Sequence, residues 1–271
     1  MKRLFKDPLT VAALVVAVVI IGLAFLAPWL APTDPTDNDL AQAMAAPGGD
    51  LLLGADDQGR DMITRLLYGL RLTLLIGAAS VLLGGGAGAT LGLLAGFHRR
   101  LDGVIMRCMD VLLSFPAILF GLAIAAIFGP GVLAVVLALS IATVPVTARI
   151  VRAAAAVEMT RDYMEAARAV GMTDRRLIWR HLAPNCLSAL VVFATLRFGQ
   201  VILLGAALSF LGLGAQAPTA ELGSMASQGR TFLFFAPHIA VMPCVAIFVV
   251  VLVFNVLGDA LRDALDPRLS L

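Results

Sequence analysis

The stretch 111–148 reads VLLSFPAILFGLAIAAIFGPGVLAVVLALSIATVPVTA and holds no Asp, Glu, Lys or Arg in 38 residues. A helix rises about 1.5 Å per residue, so ~20 residues cross ~30 Å of hydrocarbon. The run is therefore long enough for two crossings. Gly129-Pro130-Gly131 interrupts it, and glycine and proline end helices there. Two membrane helices joined by a tight turn are predicted, and the rest of the chain repeats the pattern. Pro8 to Thr33, Leu72 to His98 and Thr231 to Gly258 carry no charge, and His181 to Ala220 carries only Arg197. Six membrane helices follow, at approximately 9–30, 72–97, 104–128, 132–150, 186–211 and 238–257.

Composition agrees. The 271 residues are 60% hydrophobic before their 25 glycines are added, and 14% charged. Soluble domains run near 45–50% apolar with glycine included and ~25% charged. So few charges cannot cover a soluble surface, and disorder needs the opposite balance. The fold class is all-α, a polytopic membrane protein. A net charge of +2 gives no basic field for nucleic acid. Cys108, Cys186 and Cys244 fall in apolar stretches and form no disulfide framework. His98, His181 and His238 lie too far apart to suggest a metal site.

Lys and Arg set the orientation. With both termini in the cytoplasm, fifteen of the twenty positive residues face inward: Lys2, Arg3, Lys6, Arg99, Arg100, Arg107, seven between Arg149 and Arg180, Arg262 and Arg268. Arg60, Arg65, Arg71 and Arg230 then lie outside. The first apolar run is longer than a signal-peptide core and lacks a clean small-x-small cleavage site, so it is expected to remain as a span.

Two outer segments result. The first, 31–71, opens with turn residues and ends in an amphipathic stretch, with Ile63, Leu66, Leu67 and Leu70 on one helical face. Asp56, Asp57 and Asp61 suit a helix N-terminus, and their spacing does not meet the calcium-loop pattern. The second, 212–237, carries Gly212-Leu-Gly-Ala-Gln-Ala217, a loose match to a dinucleotide fingerprint that lacks the required preceding strand. Gly84, Gly88, Gly92 and Gly96 recur every four residues along the second span and read as a helix-packing stripe.

The cytoplasmic segment 151–185 is predicted as two short helices. The first, Ala153 to Val170, shows Tyr163, Ala166, Ala167 and Val170 on one face. Arg161, Glu165 and Arg168 line the other, with Arg161 and Glu165 spaced for an i,i+4 pair. Gly171 stands where a helix-ending glycine belongs. Thr173-Asp174 reads as the N-cap of the second helix, and Pro184 closes it. Paired alanines let a partner surface approach closely, the form of a helix that docks into a groove.

Glu165-Ala166-Ala167, Gly171 and His181-Leu-Ala-Pro-Asn185 resemble the EAA loop of ABC importer permeases, and in particular the second permease subunit of the dipeptide/oligopeptide/nickel group. Three further stretches are similar to that group: LGADDQGRDMITRLLYGLR (53–71), LSFLGLG (208–214) and DALRDALDPR (259–268). The chain departs from the pattern at Ala183, where a Leu is usual, at Gly205, where a Glu is familiar, and at Leu222, where a Trp is usual. The resemblance divides the chain into residues 1–71, a first span plus a periplasmic segment, and 72–271, the permease domain proper.

The resemblance implies a bacterial inner-membrane permease for peptides, glutathione-like peptides or nickel chelates. It implies a heterodimer with a second, homologous permease, two cytoplasmic ATPase subunits that bind ATP, and a periplasmic or lipoprotein substrate-binding protein. Glu165, Ala166, Ala167, Gly171 and Pro184 would then belong to the coupling helix between the fourth and fifth spans. The chain itself carries no P-loop lysine, since its only lysines are Lys2 and Lys6, and no hydrolase or zinc-protease motif. It is read as a non-enzyme subunit that binds no cofactor. Arg197 lies about 17 Å into its span. A charge at that depth faces either a pathway or a structural partner, so Arg197 is a candidate pathway residue. The alternative function is an ion-coupled secondary transporter, which tends to place carboxylates or broken helices near the midplane. No deep carboxylate or clear internal repeat is seen here.

Overall fold

Asp7 opens the first helix, accepting from the Leu9 and Thr10 amides at 3.3 and 3.1 Å, with Pro8 in the first turn, where its missing N–H costs nothing. The computed structural model describes residues 7–49 and 51–265. Lys2, Arg3, Lys6, Arg268 and the last three residues of the 259–268 stretch lie outside the described residues. The described residues are nearly all helical, with no strand.

Helix α1 (Pro8–Leu30) buries Ala13, Ala17, Ile20, Ala24 and Ala27 along one face, against α2 (Met62–Phe97) and α10 (His238–Leu265). Its remaining surface is exposed Val, Leu, Ile and Phe, as a helix bordered by lipid requires. Asp61 caps α2 by accepting from the Thr64 amide at 2.7 Å. The amphipathic stretch and the second span are thus one 36-residue helix, about 54 Å long. The apolar face read from the sequence is only partly the buried one in the first turns. Met62, Thr64, Arg65, Gly69 and Leu70 are buried, whereas Ile63, Leu66 and Leu67 are half-buried, because Arg65 turns inward to an acid.

The glycine stripe of α2 lies on α5 (Val132–Glu158). A Cβ at Gly88 would stand 2.5 Å from the Val144 carbonyl oxygen, and one at Gly92 2.6 Å from that of Ala148. Gly84 faces Ser140 and Gly96 faces Ala155 in the same register.

The third span is not one helix. It is α3 (Arg99–Ser114) followed by α4 (Ala117–Phe128), bent by 86°. Pro116 cannot donate a backbone hydrogen bond, and it forces Phe115 out of the helical region, to φ −93° and ψ 132°. The twelve residues of α4 cover about 18 Å, less than a bilayer core. Two ion pairs fasten the charged α3 to α5, Asp102 with Arg152 and Asp110 with Arg149. Five further helices are long and apolar enough to cross a membrane, and the bent pair makes a sixth candidate. The Gly129-Pro130-Gly131 turn stands as predicted, with the Gly131 amide donating to the Leu213 carbonyl at 3.0 Å.

The segment after α5 differs from its sequence reading. Helix α5 runs to Glu158 and stops. A separate helix α6 (Asp162–Ala169) follows, then α7 (Asp174–Leu177). Thr173 occupies the N-cap position of α7 without a side-chain hydrogen bond. Pro184 does not close a helix. A π segment, Ile178–Leu182, joins α7 to α8 (Ala183–Phe210), so that Asp174–Phe210 forms one rod. The Ala183 amide reaches back to the Ile178 carbonyl, and Pro184 sits in the first turn of α8, where proline is tolerated.

At the opposite end, α9 (Leu222–Gly229) is capped by Glu221, whose oxygens accept from Gly223 N at 3.0 Å, Ser224 N at 2.8 Å and the Thr73 hydroxyl at 3.1 Å. Glu221 is 1% exposed and fully bonded. Below it, Asp56 accepts from Arg60 Nε at 2.7 Å and lies 3.0 Å from Arg65 Nε.

Candidate functional site

The break after Glu158 turns α6 back under the bundle, across the end where α2 and α5 terminate. Met164 is fully buried there and Ala167 nearly so, packed with Phe97, Val151, Ala155, Leu177, Leu182 and Cys186. The Arg168 guanidinium lies over the Phe97 ring at 5.5 Å, a cation–π contact that fixes α6 to the end of α2. The alanine pair is therefore divided. Ala167 packs inward, and Ala166 is exposed together with Tyr163, Glu165 and Val170. On α6 Ala167 neighbours both the outward Tyr163, four residues before it, and the inward Met164, three residues before it, and packing in the core with Phe97 and Ala155 takes it inward, off the predicted face.

The predicted Arg161–Glu165 pair does not form. Arg161 pairs instead with Glu158 at 3.4 Å. Glu165 forms no ion pair with a described residue. Its carboxylate lies in the first turn of α6, where a negative charge is favoured by the helix dipole. Gly171 holds φ +76°. Its amide donates to Arg168 O at 2.9 Å and the Met172 amide donates to Ala167 O at 3.2 Å, the two bonds of a Schellman terminus.

Two polar contacts tie α6 to the rods above it, and a third holds the Asn185 side chain to its own rod. Tyr163 Oη donates to Glu158 Oε2 at 2.8 Å. Asn185 Nδ2 donates to Tyr163 Oη at 3.1 Å and to His181 O at 2.7 Å. Burial and the bond to Glu158 push the Tyr163 phenol above its ordinary value, so it remains a donor at neutral pH. Tyr163 and Asn185 were not singled out as a pair in the sequence, since 22 positions separate them. Pro184 is exposed beside this network.

Arg197 lies elsewhere, in the middle of α8, and the structure does not bring it together with the α6 residues. Its Nη1 donates to Gln200 Oε1 at 2.9 Å and its Nη2 to the Ala142 carbonyl on α5 at 3.3 Å. Its Nε is buried without a partner, and it forms no ion pair with a described residue. The neighbouring Phe198 points the other way, toward Gly77 of α2 and Phe254 of α10. Among the described residues no cluster of His, Cys, Asp or Glu could hold a metal ion.

The chain as a whole is similar to known proteins. Residues 88–271 match the family described as binding-protein-dependent transport system inner membrane component. Residues 1–47 match the N-terminal transmembrane domain of oligopeptide transport permease C. Over 271 residues the chain is 43% identical to the glutathione transport system permease protein GsiD of Pectobacterium atrosepticum, covering 99% of this chain and 90% of that one. It is 44% identical over 258 residues to the di/tripeptide transport system permease protein DppC of Pseudomonas aeruginosa, covering 93% and 85%. Among solved structures, the methionine ABC transporter MetNI in its inward-facing conformations superposes with a TM-score of 0.62 at 22% identity, covering 76% of this chain and 98% of that one. That likeness is one of fold.

Proposed function

The chain belongs to the family of binding-protein-dependent transport inner membrane components, as a permease subunit of an ABC importer, and from that premise we propose that α6 is its coupling helix and that its cargo is a short peptide. The observation that carries the coupling reading is the division of α6. Its Met164–Ala167 face is locked into the core that joins α2, α5 and α8, while Tyr163, Ala166 and Val170 are exposed. Movement imposed on the outer face is transmitted to three membrane rods at once.

In this reading the segment from Arg161 to Asn185 faces the cytoplasm, with both termini on the same side. Two ATPase subunits receive α6 and its equivalent on a second, homologous permease. Glu165 meets a cationic group on the ATPase, Ala166 permits close approach, and Gly171 and Pro184 shape the ends of the coupling segment. ATP is bound and hydrolysed on those partners. A periplasmic or lipoprotein binding protein delivers the cargo at the opposite end, in a bacterial inner membrane.

Peptides and glutathione are the cargoes named for relatives more than 40% identical. Both carry a carboxylate, and Arg197, half-buried and without an ion pair to a described residue, offers a charge-assisted donor for one. The ion-coupled alternative is not favoured by any relative compared above.

The test is reconstitution. The chain is co-expressed with a second permease and with ATPase subunits from the same organism, purified as a complex and placed in lipid. ATP hydrolysis stimulated by binding protein loaded with peptide is the expected result. Failure of the chain to co-purify with any ATPase overturns the proposal.

A further inference from the structure

A cavity of about 310 Å³ lies beside α8, where Phe198 lines it. Four helices wall it: Ile21 and Phe25 of α1, Leu74 and Ala78 of α2, Phe198 of α8 and Phe254 of α10. The Phe198 and Phe254 rings pack at 4.5 Å between centroids, tilted by 59°. Gly77 lets Phe198 approach α2, since a Cβ there would stand 3.1 Å from the ring. Phe25 and Leu75, 68% and 52% exposed, face outward beside the opening.

One lining residue is charged. Arg71 borders the cavity, half-buried, and makes no ion pair with a described residue. It lies nine residues into α2, about 14 Å from Met62, and shares the cavity with Phe25, near the Leu30 end of α1. A guanidinium among lipid-facing helices, with apolar walls on every side, calls for an anion. A long side chain at that level reaches the zone of lipid headgroups.

We propose that this cavity holds a phospholipid from the surrounding leaflet, with an acyl chain between α1, α2, α8 and α10 and its phosphate on Arg71. Both parts of the site are needed to choose the occupant. The walls accept a hydrocarbon chain, and Arg71 accepts a phosphate through charge-assisted hydrogen bonds. A phospholipid carries both on one molecule and is present at this depth. The lipid would seat α1, which otherwise touches the bundle only through its alanine face, against α2 and α10.

The purified permease complex is delipidated, titrated with phosphatidylglycerol and examined by native mass spectrometry. The wild type is expected to retain a phospholipid. Arg71→Gln is expected to weaken retention about tenfold, the loss for one charged hydrogen bond. Ala78→Phe, which fills the cavity and leaves the charge, is expected to abolish retention. A photo-crosslinking residue in place of Leu75 is expected to capture lipid. Equal retention by wild type and both variants overturns the proposal, as does capture of a polypeptide instead of lipid at position 75.

Discussion

The Tyr163 hydroxyl donates to the Glu158 carboxylate at 2.8 Å, across the three-residue break between α5 and α6. This bond and its continuation to Asn185 link a short helix to two long ones. Tyr163→Phe keeps the ring and its packing near His181 but removes the donor. One neutral-to-charged hydrogen bond contributes about 1.5–3 kcal/mol at most, and less where water competes. The expected outcome is an assembled complex whose basal ATP hydrolysis persists while uptake falls several-fold. Uptake in vesicles, measured beside ATP hydrolysis, checks it.

The terminus of α6 offers a separate test. At φ +76° a residue with a Cβ costs about 1–2 kcal/mol, although a Cβ at Gly171 has nothing within 4 Å to strike. Gly171→Ala should therefore loosen the last turn of α6 through the backbone alone, and Glu165→Ala should remove only an exposed charge. Both are expected to leave assembly intact and to lower transport per ATP hydrolysed. Hydrogen exchange of the Ala166–Met172 amides should rise for Gly171→Ala and remain unchanged for Glu165→Ala.

The contact between α2 and α5 predicts a sharp positional contrast. Gly88 faces the Val144 carbonyl at a distance no Cβ can occupy, while Gly86, two residues away, has open space. Gly88→Val must part the two helices, at a cost of several kcal/mol of the kind overpacking imposes. Gly86→Ala should be neutral or slightly stabilising through helix propensity. Thermal denaturation of the purified complex in detergent separates the two.

The glycine stripe was legible because a four-residue repeat of small side chains has one physical use in a membrane helix. The number and places of the apolar runs were legible for a similar reason, since lipid excludes charge. The bend at Pro116 was not. Pro145 and Pro243 lie inside unbroken helices, so a proline alone does not announce a break. What distinguishes Pro116 is the helix before it, α3, whose charges pair with Arg149 and Arg152 of α5 and hold it at an angle to the span. Those are long-range contacts. The inward side of Ala167 was not legible either, since on α6 it neighbours both outward Tyr163 and inward Met164, and only contacts with distant helices choose between them. Glu221 also escaped notice, because its partner Thr73 is 148 positions away.

Arg197 makes a prediction that distinguishes two roles. Arg197→Ala removes the donors to Gln200 and Ala142 O. If these are merely structural, thermal stability falls by about 1–3 kcal/mol and every cargo is affected alike. The pathway reading expects normal assembly and a loss confined to cargoes with a free carboxylate. Competition between a dipeptide and its amidated form, measured by uptake, reads the difference. Unchanged uptake of both excludes a pathway role.

At the end of the bundle away from α6, the Asp56 carboxylate holds two buried arginines and two backbone amides. Asp56 is 3% exposed and Arg60 and Arg65 are 2% and 1% exposed. Asp56 Oδ2 lies 2.7 Å from Arg60 Nε and 3.0 Å from Arg65 Nε, and its Oδ1 accepts from the Gln58 and Arg60 amides at 2.9 Å each. Arg65 in turn donates to the Pro218 carbonyl at 3.2 Å, so the acid indirectly holds the loop before α9. Removing one member of a buried ion pair leaves the other charge without compensation, at about 3–5 kcal/mol. Asp56→Asn keeps the shape but leaves two guanidinium groups facing a neutral amide, and it is expected to lower thermal stability by that amount. Asp57→Asn is the control, because Asp57 lies 3.8 Å from Arg60 and is 29% exposed, where an ion pair contributes ~0–1 kcal/mol. Limited proteolysis of the 31–61 segment in intact spheroplasts should speed up for Asp56→Asn and remain at the wild-type rate for Asp57→Asn. Equal rates in all three would show that the segment is held by its other contacts instead.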